Sequence, residues 1–125
     1  MNRTSEYSLT IVVPVFNEED NIHNLEKALS EFIPHSKVPT CALFVDDGSK
    51  DSSLKLIQEV CSRNKDILYI SFERNAGLSA AIKAGFDYAF SEYVGYMDAD
   101  LQTTPEDFNL LLEGMKEHTL MTGYR

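Results

Sequence analysis

Four short apolar runs, each stopping in a cluster of acidic or turn-forming residues, constrain this chain more than any other feature. The runs are Leu9 to Phe16, Cys41 to Val45, Ile67 to Phe72 and Tyr93 to Met97. Each reads as a buried strand, because it is short, continuous and rich in β-branched or aromatic residues. Each is followed by a segment with helical spacing. Ile22, Leu25, Leu29 and Phe32 fall on one helical face, which Pro34 closes; Leu54, Ile57, Val60 and Cys61 repeat the pattern. Leu78 to Phe90 is apolar nearly all round, which predicts a deeply packed helix. Phe108, Leu111, Leu112 and Met115 form a fourth stripe, with Thr104 as its cap and Pro105 in its first turn. Leu120 to Thr122 reads as the opening of a fifth strand. Continuously apolar strands alternating with helices predict an α/β fold, a mostly parallel sheet covered on both faces.

In such open sheets, ligands bind beyond the carboxyl ends of the strands, where the strand order reverses. The segments that matter are therefore Pro14-Val15-Phe16-Asn17-Glu18-Glu19, Val45-Asp46-Asp47-Gly48-Ser49, Arg74-Asn75-Ala76-Gly77-Leu78 and Met97-Asp98-Ala99-Asp100-Leu101-Gln102. All four converge on one edge of the sheet.

In an extended segment alternate side chains share a face, so Asp98, Asp100 and Gln102 point the same way. Two carboxylates about 4 Å apart repel by roughly 4 kcal/mol at an effective dielectric near 20, which a metal, a proton or a basic partner must offset. A few hard oxygen ligands suit Mg or Mn, which keeps open positions for phosphate oxygens. The same residues can also form a simple turn, with Asp98 capping a loop and Asp100 solvated. Asp46 and Asp47 divide in the same way: one carboxylate can accept a base N–H or ribose hydroxyl while the other fixes the turn at Gly48. Ser49 or Asp51 then caps the next helix. Asn17 with Asp20 has a helix-capping reading, whereas Glu18 has no obvious structural one. Arg74 and Lys83 are phosphate contacts or solvated charges.

Composition narrows the partners. A formal charge of -9 argues against nucleic acid, because a reader of the phosphate backbone needs surplus Lys and Arg. It fits a phosphorylated ligand that arrives with a cation. Cys41 and Cys61 have neither metal-type spacing nor a disulfide framework, and read as reduced thiols of a cytosolic domain. Met1 to Tyr7 lacks a signal-peptide core, and no run of the sequence is apolar for long enough to cross a bilayer, so a soluble chain is expected. Residues 1–125 read as one domain.

Taken in order, IVVPVFNEEDNI, FVDDGSKDSS, RNAGLSAAIKAGFDYA and YMDADLQTTPEDF resemble the family-2 glycosyltransferases of GT-A fold, over Ile11 to Phe108. The MDADLQ form is closest to the polyprenyl-phosphate sugar transferases, the dolichol-phosphate mannose synthases among them. Thr103-Thr104 departs from those relatives, in which His-Pro is common, and so leaves the lipid-acceptor subgroup open. The resemblance implies a metal-dependent, inverting hexosyltransferase with a UDP-sugar or GDP-sugar donor. Its acceptor would be a polyprenyl phosphate or a glycan, in cell-envelope polysaccharide synthesis. It implies nucleotide contacts at Pro14, Asn17, Glu18, Asp46, Asp47, Arg74 and Asp98, and a Mg or Mn site at Asp98, Asp100 and Gln102. The catalytic base and acceptor half are expected beyond Arg125, so the chain reads as the nucleotide-sugar-binding part of a truncated domain, inactive alone. Its expected place is the cytoplasm, at the cytoplasmic face of a membrane where the full-length protein carries membrane helices. Two other classes remain: a non-catalytic nucleotide-binding module, and a receiver-like signalling domain. The latter would need its aspartate pair after the first strand and a Lys after the fifth.

Overall fold

The computed structural model describes residues 3–99. The elements run β1 (Leu9–Val15), α1 (Ile22–Phe32), β2 (Thr40–Asp46), α2 (Ser53–Arg63), β3 (Ile67–Ser71), α3 (Leu78–Tyr88) and β4 (Tyr93–Tyr96). Every strand falls within a residue of its expected bounds. The fourth helical stripe, its cap Thr104 and the strand at Leu120 lie outside the described residues.

The sheet is parallel throughout, in the order β3-β2-β1-β4. The chain steps outward from β1 to β2 to β3, then crosses back to the other side of β1 for β4. Side-chain alternation divides the core in two. Leu9, Ile11, Val13 and Val15 of β1 join Ala42 and Phe44 of β2 under α1 and α2. Val12, Leu43 and Val45 face the other way, toward Ala81 of α3. Each fully buried side chain of this size contributes about 1.5–3 kcal/mol relative to exposure.

α1 buries Ile22, Leu25, Leu29 and Phe32, the stripe its spacing predicts, and tightens at Pro34 into a 3-10 turn over Ile33–His35. α2 buries Ser53, Ile57 and Val60, and Asp51 Oδ1 accepts the Ser53 N–H at its start, 2.9 Å away. α3 corrects the expectation of a deeply packed helix ending at Phe90. It ends at Tyr88 and buries only Ala81 and Gly85 within its span, while Leu78 is 59% exposed. Half of its apolar content is Ala and Gly, and the two residues it buries are of that kind, which serves close approach rather than wide contact. A Cβ on Gly85 would lie 2.4 Å from Val12 Cγ1. No helix among the described residues is long and apolar enough to cross a membrane.

Candidate functional site

Because β1 sits between β2 and β4, the strand order reverses at the carboxyl end of β1, and a crevice must open there. A cavity of about 370 Å³ occupies that place. Pro14, Val15, Phe16 and Glu18 line it from the end of β1, Asp47 from β2, and Asp98 and Ala99 from β4. Asn75, Gly77, Leu78 and Ala81, from the turn and first turns of α3, close the other side.

Two loops behind this wall are laced together. Asn17 adopts a left-handed φ of 53°, a conformation Asn tolerates better than most residues. Its N–H donates to Ser49 Oγ at 2.9 Å, and its Oδ1 accepts the Lys50 N–H at 2.8 Å. The Glu18 N–H donates to the buried Ser53 hydroxyl oxygen at 2.8 Å. Glu19 Oε1 accepts the Ser52 N–H, and the Glu19 N–H donates to Asp51 Oδ2. The main chain of Glu18 is thereby fixed at the cavity edge, and its Oε1 accepts Asn21 Nδ2 at 2.8 Å.

The aspartate pair after β2 splits across the sheet. Asp46, paired in register with Val15, is 1% exposed, and its Oδ1 has no hydrogen-bond partner. Asp47 is 3% exposed and well partnered. Its Oδ1 accepts the Ala76 N–H at 2.7 Å; its Oδ2 accepts the Gly77 N–H at 3.0 Å and Asn75 Nδ2 at 2.9 Å. Gly48 follows with φ 69°, packed so closely on the turn that a Cβ would lie 2.4 Å from Arg74 C and Asn75 N.

Of the residues singled out from sequence, Pro14, Glu18, Asp47 and Asp98 meet at the cavity. Asn17 braces the wall from behind, and Asp46 lies buried beside Val15 without lining it. Arg74 lines a separate, shallow hollow of about 510 Å³ with Phe72, Glu73, Ala76 and Ala80. Lys83 is a solvated charge, paired with Asp87 at 2.6 Å on the exposed side of α3. The aspartate pair follows β2 rather than β1, unlike the receiver-like arrangement. Asp100, Gln102 and Arg125 lie outside the described residues. Among those described, no three His, Cys, Asp or Glu side chains form a metal-holding group. Sequence reasoning named Phe16, Asn75, Gly77 and Leu78 only as members of the strand-end segments, and did not place Ala81 at the site. The available signal was Gly77, whose φ of 103° opens α3 directly after the third strand end.

The family model described as "Glycosyl transferase family 2" matches residues 10–123. An uncharacterized glycosyltransferase of Bacillus subtilis, YkcC, is 42% identical over 94% of this chain and 36% of its own length. The dolichol-phosphate mannosyltransferase of Saccharomyces cerevisiae is 34% identical over 96% of this chain and 45% of its own. Among solved structures, a mannosyltransferase from Pyrobaculum calidifontis in complex with GDP-Man and Mn2+ superposes with a TM-score of 0.75. It shares 19% identity and covers 89% of this chain and 33% of that one. The chain thus spans between a third and a half of the length of these three proteins.

Proposed function

The chain belongs to glycosyl transferase family 2, with the parallel sheet of a GT-A fold, and from that premise we propose that its cavity binds a nucleoside-diphosphate sugar. The observation that carries this reading is the position of the cavity. It lies at the switch point of the sheet, with Asp98 on one side and the N-terminus of α3 on the other. Pro14 and Phe16 offer an apolar surface for a base, and Glu18 retains carboxylate acceptor capacity for a ribose hydroxyl. Asn17 supports that wall from behind, whereas Asp46 is sealed beside Val15. Arg74, on the neighbouring hollow, is within the same turn as Asn75 and can approach the phosphates only from outside the cavity. The solved relative's GDP-Man supports a donor of this class, UDP-sugar or GDP-sugar.

A hard divalent cation suits carboxylate donors, and Glu18 and Asp98 are among the residues that line the cavity. Asp98, with Asp100 and Gln102, would hold Mg or Mn. Such an ion, when bound, neutralises the charge that collects on the leaving diphosphate as the bond to the anomeric carbon breaks. Asp98 would hold such an ion at the cavity, while the burial of Val15 and Ala99 keeps water from its inner side. Attack from the face opposite the leaving group gives inversion. The proposed acceptor is a polyprenyl phosphate, in keeping with the similarity to the dolichol-phosphate mannosyltransferase of Saccharomyces cerevisiae. An anionic phosphate needs no general base among these residues. The corresponding place of action is the cytoplasmic face of a membrane.

The test is calorimetric titration of UDP and GDP into the chain with and without manganese, repeated on Asp98→Asn combined with Asp100→Asn. Manganese-dependent binding of one nucleotide, lost in the double variant, is the expected result. Absence of binding by the folded parent would overturn the reading.

A further inference from the structure

β3 is an outer strand of the sheet, and its open side carries none of the features that keep a strand edge from pairing. Among the described residues it pairs with β2 alone, in unbroken parallel register from Ala42 opposite Ile67 to Asp46 opposite Ser71. Exposed edges are usually blunted by charge, by proline, by a bulge or by a covering segment. Ile67-Leu68-Tyr69-Ile70-Ser71 contains no charged residue and no Pro, and its register has no bulge. Tyr69 and Ser71 are exposed, and Leu68 and Ile70 are half-buried.

The hydrogen bonds at the two ends of the ladder fix which main-chain groups face outward. The Asp66 carbonyl accepts the Ala42 N–H at 2.9 Å, and the Phe72 N–H donates to the Asp46 carbonyl at 2.8 Å. In a parallel pair, alternate residues of a strand direct both their groups to the same neighbour. Even-numbered residues from 66 to 72 therefore face β2, while Ile67, Tyr69 and Ser71 turn their main-chain groups to the open edge. The Ile67 N–H already goes to the Asn64 carbonyl. Among the described residues, the Ile67 carbonyl and both groups of Tyr69 and Ser71 remain for a partner.

Those groups match a second copy of the same edge. Antiparallel pairing centred on Tyr69 sets Ile67 opposite Ser71 and Tyr69 opposite itself, in the register that overlaps the whole strand. The Tyr69 N–H of each copy then reaches the Tyr69 carbonyl of the other, and each Ser71 N–H reaches an Ile67 carbonyl. On the α3 side, Leu68 meets Ile70 of the second copy, covering apolar surface that one copy leaves half-buried. The flanking charges agree with this register. Lys65, in the turn before β3, comes opposite Glu73, in the bend after it, and Arg74 comes opposite neutral Asn64. No like charges oppose one another across residues 64–74.

We propose that β3 is a self-association edge, through which two copies of the chain join antiparallel about Tyr69 into one continuous sheet. The contact lies apart from the cavity and goes beyond the reading given to it. Because the paired strands run in opposite directions, the two cavities open at opposite ends of the joint sheet. Two strands of this length make a smaller interface than the about 1,200–2,000 Å² of stable complexes, so association is weak and concentration-dependent. The charge of -9 on each copy opposes it further.

The test is sedimentation velocity of the full chain from micromolar to millimolar concentration at physiological salt. The mean mass of the parent is expected to rise toward twice that of the monomer. Ser71→Pro removes an outward N–H that β2 does not use, so circular dichroism should be unchanged while the association constant falls about tenfold or more. Lys65→Glu and Glu73→Lys each set like charges together at both ends of the pair, and each should lower association by about tenfold. Both residues are exposed, so these variants should fold as the parent does. Mixing the two single variants returns opposite charges to both ends, and is expected to restore association to the level of the parent. A parent that stays monomeric throughout would overturn the proposal and leave this edge to another segment of chain or a different partner. Association that survives Ser71→Pro, or single variants that do not recover on mixing, would overturn it by placing the contact on another surface.

Discussion

Gly85→Ala sets two opposed effects against each other, and the structure decides between them. In a helix interior, Ala is favoured over Gly by about 1 kcal/mol. At this position the added Cβ would lie 2.4 Å from Val12 Cγ1, 3.0 Å from Val12 Cγ2 and 3.2 Å from Val45 Cγ2. Carbon atoms pack best at about 3.5–4.0 Å, so the nearest contact must open by roughly 1 Å. Val12 cannot withdraw, because β1 is hydrogen-bonded between β2 and β4 and Val12 is fully buried. Its branched side chain has few alternative rotamers. α3 must therefore lift from the sheet, and forcing a methyl into a packed core costs about 1–3 kcal/mol. With a misfit this large the upper part of that range applies, and the net expectation is a loss of about 1–2 kcal/mol. Urea unfolding followed by circular dichroism measures it. Val12→Ala alone should also destabilise, by about 2 kcal/mol, by leaving a void. In that background the Gly85 methyl fills vacated space, so Gly85→Ala should become neutral or stabilising, with a coupling of about 2 kcal/mol. A Gly85→Ala protein as stable as its parent, or an unchanged effect in the Val12→Ala background, would refute the close approach of α3 to β1.

Gly48→Ala should cost more than about 2 kcal/mol. It combines a left-handed φ of 69°, worth roughly 1–2 kcal/mol for a side chain, with a clash against the Arg74–Asn75 main chain. Gly77→Ala, strained in φ but meeting nothing within 4 Å, should lower the thermal midpoint less. Glu26 is held below the ordinary carboxylate value, first by its hydrogen bond to Arg63 and also by Asn64. A depressed folded pKa means that its stabilisation is present at neutral pH and is lost as pH falls through that value. Glu26→Gln should therefore melt slightly below the parent at pH 7, an effect kept small by the exposure of Arg63, and the gap should begin to narrow as pH falls past the ordinary carboxylate value of about 4.3 and close below the lowered one. Burial pushes the Cys41 and Cys61 thiols up to about 11, so fully buried Cys41 should react with a thiol reagent at pH 7.5 only on unfolding, and partly exposed Cys61 more slowly than a free thiol.

Much of the fold was legible because the physics that forms each element is local. Apolar runs such as Leu9 to Val15 declare strands, and the 3-4-3 spacing of Ile22, Leu25, Leu29 and Phe32 declares the face of α1. Strand order was not legible. All four strands are apolar enough to be central, and nothing within Tyr93–Tyr96 says that it pairs with β1 rather than extending from β3. The depth of α3 was misjudged for a related reason. Hydrophobicity reports what a residue tolerates, and a helix rich in Ala and Gly can be apolar all round yet bury a single narrow face. Leu78 is half of that lesson; it is apolar, exposed and at the mouth of the cavity.

The aspartate pair shows why the site was only partly legible. In sequence Asp46 and Asp47 are equivalent neighbours, and either can be given either role. Strand alternation alone separates them, because consecutive residues leave a strand on opposite faces. Asp46, in register with Val15, falls on the α1–α2 side and is sealed there. Asp47 is then obliged to emerge on the α3 side. What alternation cannot supply is the partner. The 75–77 turn is about thirty residues further along and arrives only because β3 pairs with β2 and places Ser71 opposite Asp46. The site is therefore a product of two scales. Local pattern delivers a polar residue to each strand end, and long-range pairing decides which of those residues face a ligand and which face one another.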